Sequence, residues 1–116
     1  MKKKIVILGS TGSIGKTLIK ILKNDKDKFK ILLLTSNTNY KELLKQVNLF
    51  DVKNIIINDF KIFLHVKKIL KSKKINVYNN FDEFNKIFKV TKIDYTMSAI
   101  TGLDGLKPTI DIMKFT

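Results

Sequence analysis

Ile5-Val6-Ile7-Leu8-Gly9-Ser10-Thr11-Gly12-Ser13-Ile14-Gly15 is the stretch whose reading decides the fold. Four consecutive apolar residues stop at a glycine, which suits a strand buried on both faces of a parallel sheet rather than an alternating, half-solvated one. Past the glycines, Ile14, Leu18, Ile21 and Leu22 recur at helical spacing until Asn24 and Asp25 interrupt them. A helix is therefore expected to leave the turn directly, with that stripe of apolar residues against the sheet.

The same unit recurs along the chain without repeating in sequence. Phe29 to Leu34 predicts a second strand, and Tyr40, Leu43, Leu44 and Val47 a second helix. Asn54 to Asn58 brackets a third strand, followed by a helical pattern of Phe60, Phe63, Leu64, the Lys67 stem and Leu70. Ile75 to Tyr78 predicts a short strand, and Phe81, Phe84, Ile87 and Phe88 a helix. Ile93 to Ala99 predicts a fifth strand, and Leu103, Leu106, Ile110 and Met113 a last helix with Pro108 near its first turn, where a missing amide hydrogen costs little. Parallel neighbours need a crossover, which a helix supplies, so the expected architecture is α/β, a doubly wound, mostly parallel sheet of Rossmann type with helices on both faces. In such sheets ligands lie beyond the carboxyl ends of the strands, where the turn after the first strand sits.

The glycines then acquire separate purposes. Gly9 permits a tight turn, Gly12 lets backbone approach a pyrophosphate, and Gly15 lets the helix pack closely on the strand. The helix start aims unsatisfied amide hydrogens and a positive dipole end at an anion, and the Thr11 and Ser13 hydroxyls can add hydrogen bonds. The spacing is G-x-x-G-x-x-G rather than G-x-G-x-x-G, a variant that still opens Rossmann domains but says less about the reaction. A phosphate-binding loop of the nucleotide hydrolases is disfavoured: Gly15-Lys16-Thr17 matches the end of its motif, but Ser10 stands where the leading glycine belongs.

Cofactor choice is read at the end of the second strand, where an acidic residue would hold the ribose hydroxyls of NAD. That stretch is Thr35-Ser36-Asn37-Thr38-Asn39 and carries no carboxylate. Small polar donors, with Lys41 shortly after, suit a 2'-phosphate instead, so NADPH is the expected cofactor. The same residues also suit a polar loop with an Asn or Thr capping the second helix.

Composition narrows the setting. The 116 residues leave room for one domain, and 44% hydrophobic content is ordinary for a globular core. No cysteine is present, which excludes disulfides and thiolate sites and favours a cytoplasmic setting. The apolar run after Met1 to Lys4 is too short for an export signal, and no run approaches the ~20 residues of a membrane span. The net charge of +13 comes from 23 lysines and no arginine. These are scattered over expected helix faces, so no nucleic-acid partner is assigned. His65, the sole histidine, receives no role, and Asp82 and Glu83 suit a helix start. No Tyr-x-x-x-Lys pair and no grouping of carboxylates or histidines supplies an acid, a base or metal ligands, so no catalytic residue is assigned.

Two stretches together are more specific: Ile7 to Gly15, and Ala99-Ile-Thr-Gly-Leu-Asp-Gly-Leu-Lys-Pro-Thr109. With Asn24 to Lys30, Tyr40 to Phe50 and Ile93 to Ala99, they make the whole chain resemble the 1-deoxy-D-xylulose 5-phosphate reductoisomerase family. The resemblance implies an NADP(H)-binding Rossmann domain over residues 1–116. The implied domain would be the amino-terminal part of an enzyme that rearranges 1-deoxy-D-xylulose 5-phosphate and reduces it to 2-C-methyl-D-erythritol 4-phosphate in non-mevalonate isoprenoid synthesis. Thr11, Gly12, Ser13 and Ile14 coincide with the family's pyrophosphate-contacting turn, and Asn39 with the asparagine of its adenosine-phosphate loop. Asn37 and Thr38 in that loop depart from the commoner glycine and basic residue. Gly102 and Gly105 would bend the chain beside the nicotinamide half, near Ala99 and Ile100.

The resemblance further implies a sugar-phosphate substrate, a homodimer for the full-length family member, and a divalent metal, Mg or Mn. Family enzymes are several times longer, and the 116 residues are expected to stop before the Asn-Lys-Glu triplet and the metal-holding carboxylates, leaving out the catalytic and carboxy-terminal domains. Two other readings stay open: the cofactor domain of another NADP-dependent oxidoreductase, which the Ala99 to Thr109 stretch argues against, and a nonenzymatic Rossmann binding module.

Overall fold

The computed structural model describes residues 2–88 and 93–100. The expected last helix, with Leu103, Leu106, Pro108, Ile110 and Met113, and the glycines Gly102 and Gly105 lie outside the described residues. Five strands, β1 (Lys3–Leu8), β2 (Phe29–Ser36), β3 (Asn54–Ile57), β4 (Asn76–Tyr78) and β5 (Tyr95–Ser98), form one sheet in the order β4-β3-β2-β1-β5. Every neighbouring pair is parallel. Helices α1 (Ser13–Lys23), α2 (Tyr40–Phe50), α3 (Phe60–Ile69) and the single turn α4 (Phe84–Ile87) follow β1 to β4 in that order.

Ile5, Val6, Ile7 and Leu8 are wholly buried because they feed two cores. Ile5 and Ile7 point to one face with Leu34, Ile55 and Ile57, under Ile19 and Leu22 of α1, Leu43 and Val47 of α2, and Val66 of α3. Val6 and Leu8 point to the other with Leu33 and Ile56, against Phe84, Phe88 and Ile93. The chain steps in one direction from β1 to β4, so right-handed crossovers put α1 to α3 on a single face. It then returns past β1 to β5, and the reversed step puts α4 on the opposite face. The doubly wound sheet is thereby established, with β1 and β5 flanking the point where winding reverses.

Several details depart from the expected patterns. On α1 the buried positions are Gly15, Ile19 and Leu22, whereas Ile14 and Ile21, expected on the stripe, are more than half exposed. On α3, Phe60 and Leu64 are likewise exposed, and Val66 takes the inner position. The helix expected over Phe81 to Phe88 is a 3-10 turn, Phe81–Glu83, followed by α4. In the β1–β2 ladder the partner of Ile5 is Ile31 while that of Val6 is Leu33, so Leu32 is an extra residue in β2. Such a bulge frees a backbone group. Here Asn54 Nδ2 donates to Leu32 O at 3.3 Å and is itself held by Asn76 Nδ2, which donates to Asn54 Oδ1 at 3.1 Å.

Candidate cofactor site

The turn after β1 is built from two glycines with protein-side reasons and one without. Gly9 has φ +75, a left-handed conformation that a side chain would strain, and a Cβ there would press on Ile100 and Ala99 of the segment after β5. At Gly15 a Cβ would overlap the backbone of Gly9 and Ser10, so only glycine lets α1 start this close to the strand. Gly12 differs. Its φ of −76 suits any residue, and the nearest atom to a Cβ would be Gly9 O at 3.8 Å, an ordinary contact. Nothing among the described residues requires a glycine at position 12, while a ligand approaching the backbone would.

Gly12 is the N-cap of α1, and no side chain among the described residues caps the helix start. Among the described residues its amide is engaged only by Gly9 O, at 3.4 Å, and Gly12 O receives the first helical bond from Lys16 N at 2.8 Å. The amides of Thr11, Ser13, Ile14 and Gly15 meet no acceptor among the described residues. The first turn carries no acidic residue. These donors and the positive end of the helix dipole are thus directed, uncompensated, at the space beyond β1. Gly12, Ser13 and Ile14 are exposed there, and Thr11 is half-buried.

The turn is fastened to the end of β2. Gly9 N donates to Thr35 Oγ1 at 2.7 Å and Ser10 N to Thr35 O at 2.9 Å. The Thr11 and Ser36 hydroxyls lie 2.8 Å apart. Thr35 and Ser36, read in the sequence as donors for a 2'-phosphate, are therefore turned inward; both are buried. Asn37, Thr38 and Asn39 are exposed beyond them. Asn39 caps α2, its Oδ1 accepting from Glu42 N at 3.3 Å, as the alternative capping reading expected. Asn37 O accepts from Asp59 N at 3.2 Å and Thr38 O from Tyr40 N at 2.8 Å, leaving the Asn37 and Thr38 side chains outward.

Gln46 was not singled out from the sequence. It lies on the buried face of α2, and its Nε2 donates to Ser10 O at 3.0 Å. The only available signal was its place three residues after Leu43 and one before Val47, which puts a polar side chain among core positions. His65 is exposed on α3 and stands edge-on to the Tyr40 ring, 5.3 Å between centroids. Among the described residues no three His, Cys, Asp or Glu are grouped to hold a metal ion, and no helix is long and apolar enough to cross a membrane.

A parallel sheet wound on both faces, with a glycine turn presenting free amides at the reversal point, defines a Rossmann-type domain. Residues 5–115 match the family model described as 1-deoxy-D-xylulose 5-phosphate reductoisomerase, and the chain belongs to that family. It is 62% identical over 115 residues to the Pelagibacter ubique 1-deoxy-D-xylulose 5-phosphate reductoisomerase, covering 98% of this chain and 30% of that protein. The reductoisomerase from Zymomonas mobilis, solved in complex with NADPH, superposes with a TM-score of 0.83 at 27% identity, over 95% of this chain and 29% of that one. A reductoisomerase solved with NADPH, fosmidomycin and magnesium gives a TM-score of 0.81 at 22% identity, over 92% of this chain and 26% of that one, a likeness of fold. The chain thus spans about 30% of the length of the relative it matches at 62% identity.

Proposed function

We propose that these residues form the NADPH-binding domain of a 1-deoxy-D-xylulose 5-phosphate reductoisomerase. The whole enzyme rearranges that sugar phosphate and reduces the product to 2-C-methyl-D-erythritol 4-phosphate. The observation that carries the reading is the open face of Gly12 beside the unengaged amides of Thr11, Ser13 and Ile14. NADPH, when bound, supplies the hydride. The chain's own part is to seat the cofactor: the amides of Thr11 to Ile14 hold the pyrophosphate, and the Ser13 hydroxyl adds a donor. Ile14 is exposed on the first turn of α1 and would offer an apolar surface to the bound cofactor.

Asn37, Thr38 and Asn39, exposed beyond β2, would hold the adenosine 2'-phosphate. No carboxylate stands in residues 35–39 to repel it. The acid, base and ligands for a divalent cation such as Mg or Mn belong to the catalytic segments of the longer enzyme, as does most of the sugar-phosphate site. A cytoplasmic, homodimeric enzyme fits this reading.

The test has two parts. Titration of the chain with NADPH, followed by backbone amide resonances, is expected to shift Thr11 to Gly15 foremost, and an unperturbed turn would refute the reading. The isolated 116 residues are expected to give no NADPH oxidation dependent on the sugar phosphate, whereas the full-length enzyme gives it; oxidation by the isolated residues would contradict the assignment of chemistry elsewhere.

A further inference from the structure

Gln46 is 2% exposed, in the middle of α2, at a position an apolar residue would fill for stability alone. Its Nε2 donates to Ser10 O across 36 residues of sequence, while its Oε1 is buried with no partner among the described residues. The amide has this orientation because the reverse would set two carbonyl oxygens together. A half-satisfied buried amide costs stability rather than adding to it, so packing does not account for the residue.

Its geometric effect falls on the turn. The peptide joining Ser10 to Thr11 is planar and trans, so its carbonyl and its N–H point in opposite directions. With Ser10 O drawn towards α2, the Thr11 N–H is turned away from the helix, and it meets no acceptor among the described residues. Ser10 N, in the preceding peptide, donates at the same time to Thr35 O, so the residue that carries this carbonyl is anchored to β2 as well. We infer that Gln46 is a positioning residue for dinucleotide binding, locking the 10–11 peptide so that the Thr11 amide donates to the pyrophosphate. This rests on the cofactor reading above.

The test is Gln46→Met, which keeps length and volume and removes the Nε2 donor together with the unpartnered Oε1. It abolishes one orphaned group, Gln46 Oε1, and creates another, Ser10 O, so unfolding by urea is expected to shift little. The dissociation constant for NADPH is expected to rise about tenfold, the worth of one hydrogen bond to a charged acceptor. Adenosine 2'-monophosphate, which lacks the pyrophosphate, is expected to bind both forms equally. Equal weakening of both ligands, or unchanged NADPH affinity, would overturn the inference and leave the cofactor reading standing. Failure of the unaltered chain to bind NADPH would overturn both. Should the variant not fold, the Thr11 amide resonance of the unaltered chain decides: it must shift on NADPH addition as strongly as that of Ser13, and a static Thr11 signal overturns the inference.

Discussion

The Thr11 and Ser36 hydroxyls, 25 residues apart in sequence, are 2.8 Å apart at the carboxyl ends of β1 and β2. The contact ties the glycine turn proposed to seat the pyrophosphate to the end of β2, so a change at one is felt at the other. Ser36 closes β2, where dinucleotide-binding domains that prefer NAD carry a carboxylate. Ser36→Asp is expected to weaken NADPH at least tenfold, because two negative groups close together in a partly buried site repel by more than ~1.4 kcal/mol. NADH affinity should change less. The ratio of the two dissociation constants is the measurement, and an unaltered ratio would remove Ser36 from cofactor selection.

Gly12 and Gly15 should separate binding from stability. Gly15→Ala places a methyl group inside the Gly9 and Ser10 backbone, and the displacement of α1 is expected to cost about 1–3 kcal/mol in urea unfolding. Gly12→Ala meets nothing closer than 3.8 Å at an unstrained φ. The loss of unfolded-chain freedom roughly offsets the poorer cap, so stability should hold within about 0.5 kcal/mol. NADPH affinity should nevertheless fall by an order of magnitude or more. A Gly12→Ala chain that binds normally would mean the open face is not where the cofactor approaches.

Thr35 holds the turn through both its hydroxyl and its carbonyl, and only the hydroxyl can be removed by mutation. Thr35→Val keeps the shape but leaves Gly9 N without its acceptor in a part-buried place. The expected cost is about 1–3 kcal/mol in equilibrium unfolding. A neutral result would show that water replaces the hydroxyl there.

Much of this was legible in the sequence, for reasons that also mark the limits. The Ile5 to Leu8 run could be read as a doubly buried strand because apolar character alone distinguishes it. The end of β2 could not, because Thr35 and Ser36 are polar yet still pair with Ile56 and Ile57 of β3. Hydropathy marks the start of solvent there, whereas the structure uses the two hydroxyls as internal fasteners. Ile14 and Ile21 fit a helical stripe by spacing, but Gly15 and Ile19 set the actual inner face because α1 is pressed onto the Gly9 turn. The glycine turn announced itself by residue type, since few other structures need three glycines at that spacing. Gln46 had no such mark: its importance lies in a contact 36 residues away, which no local pattern encodes.

Lys41 offers a test of how a 2'-phosphate is recognised when position 38 is a threonine. The lysine is exposed on the first turn of α2, two residues past Asn39, and forms no ion pair among the described residues. A lone ammonium a few ångströms from a phosphate through water is worth on the order of 1 kcal/mol, so its contribution should be several-fold rather than a hundredfold. Lys41→Ala is accordingly expected to raise the NADPH dissociation constant about three- to eightfold at low salt and to leave NADH unchanged. Screening shrinks such an exposed interaction once the Debye length falls to ~3 Å near 1 M salt. The difference between the two chains should therefore close as salt is added, whereas hydrogen bonds from Asn39 or Thr38 would persist. If NADPH and NADH weaken together, or the deficit survives high salt, the discrimination between the cofactors rests on the uncharged loop residues and not on this lysine.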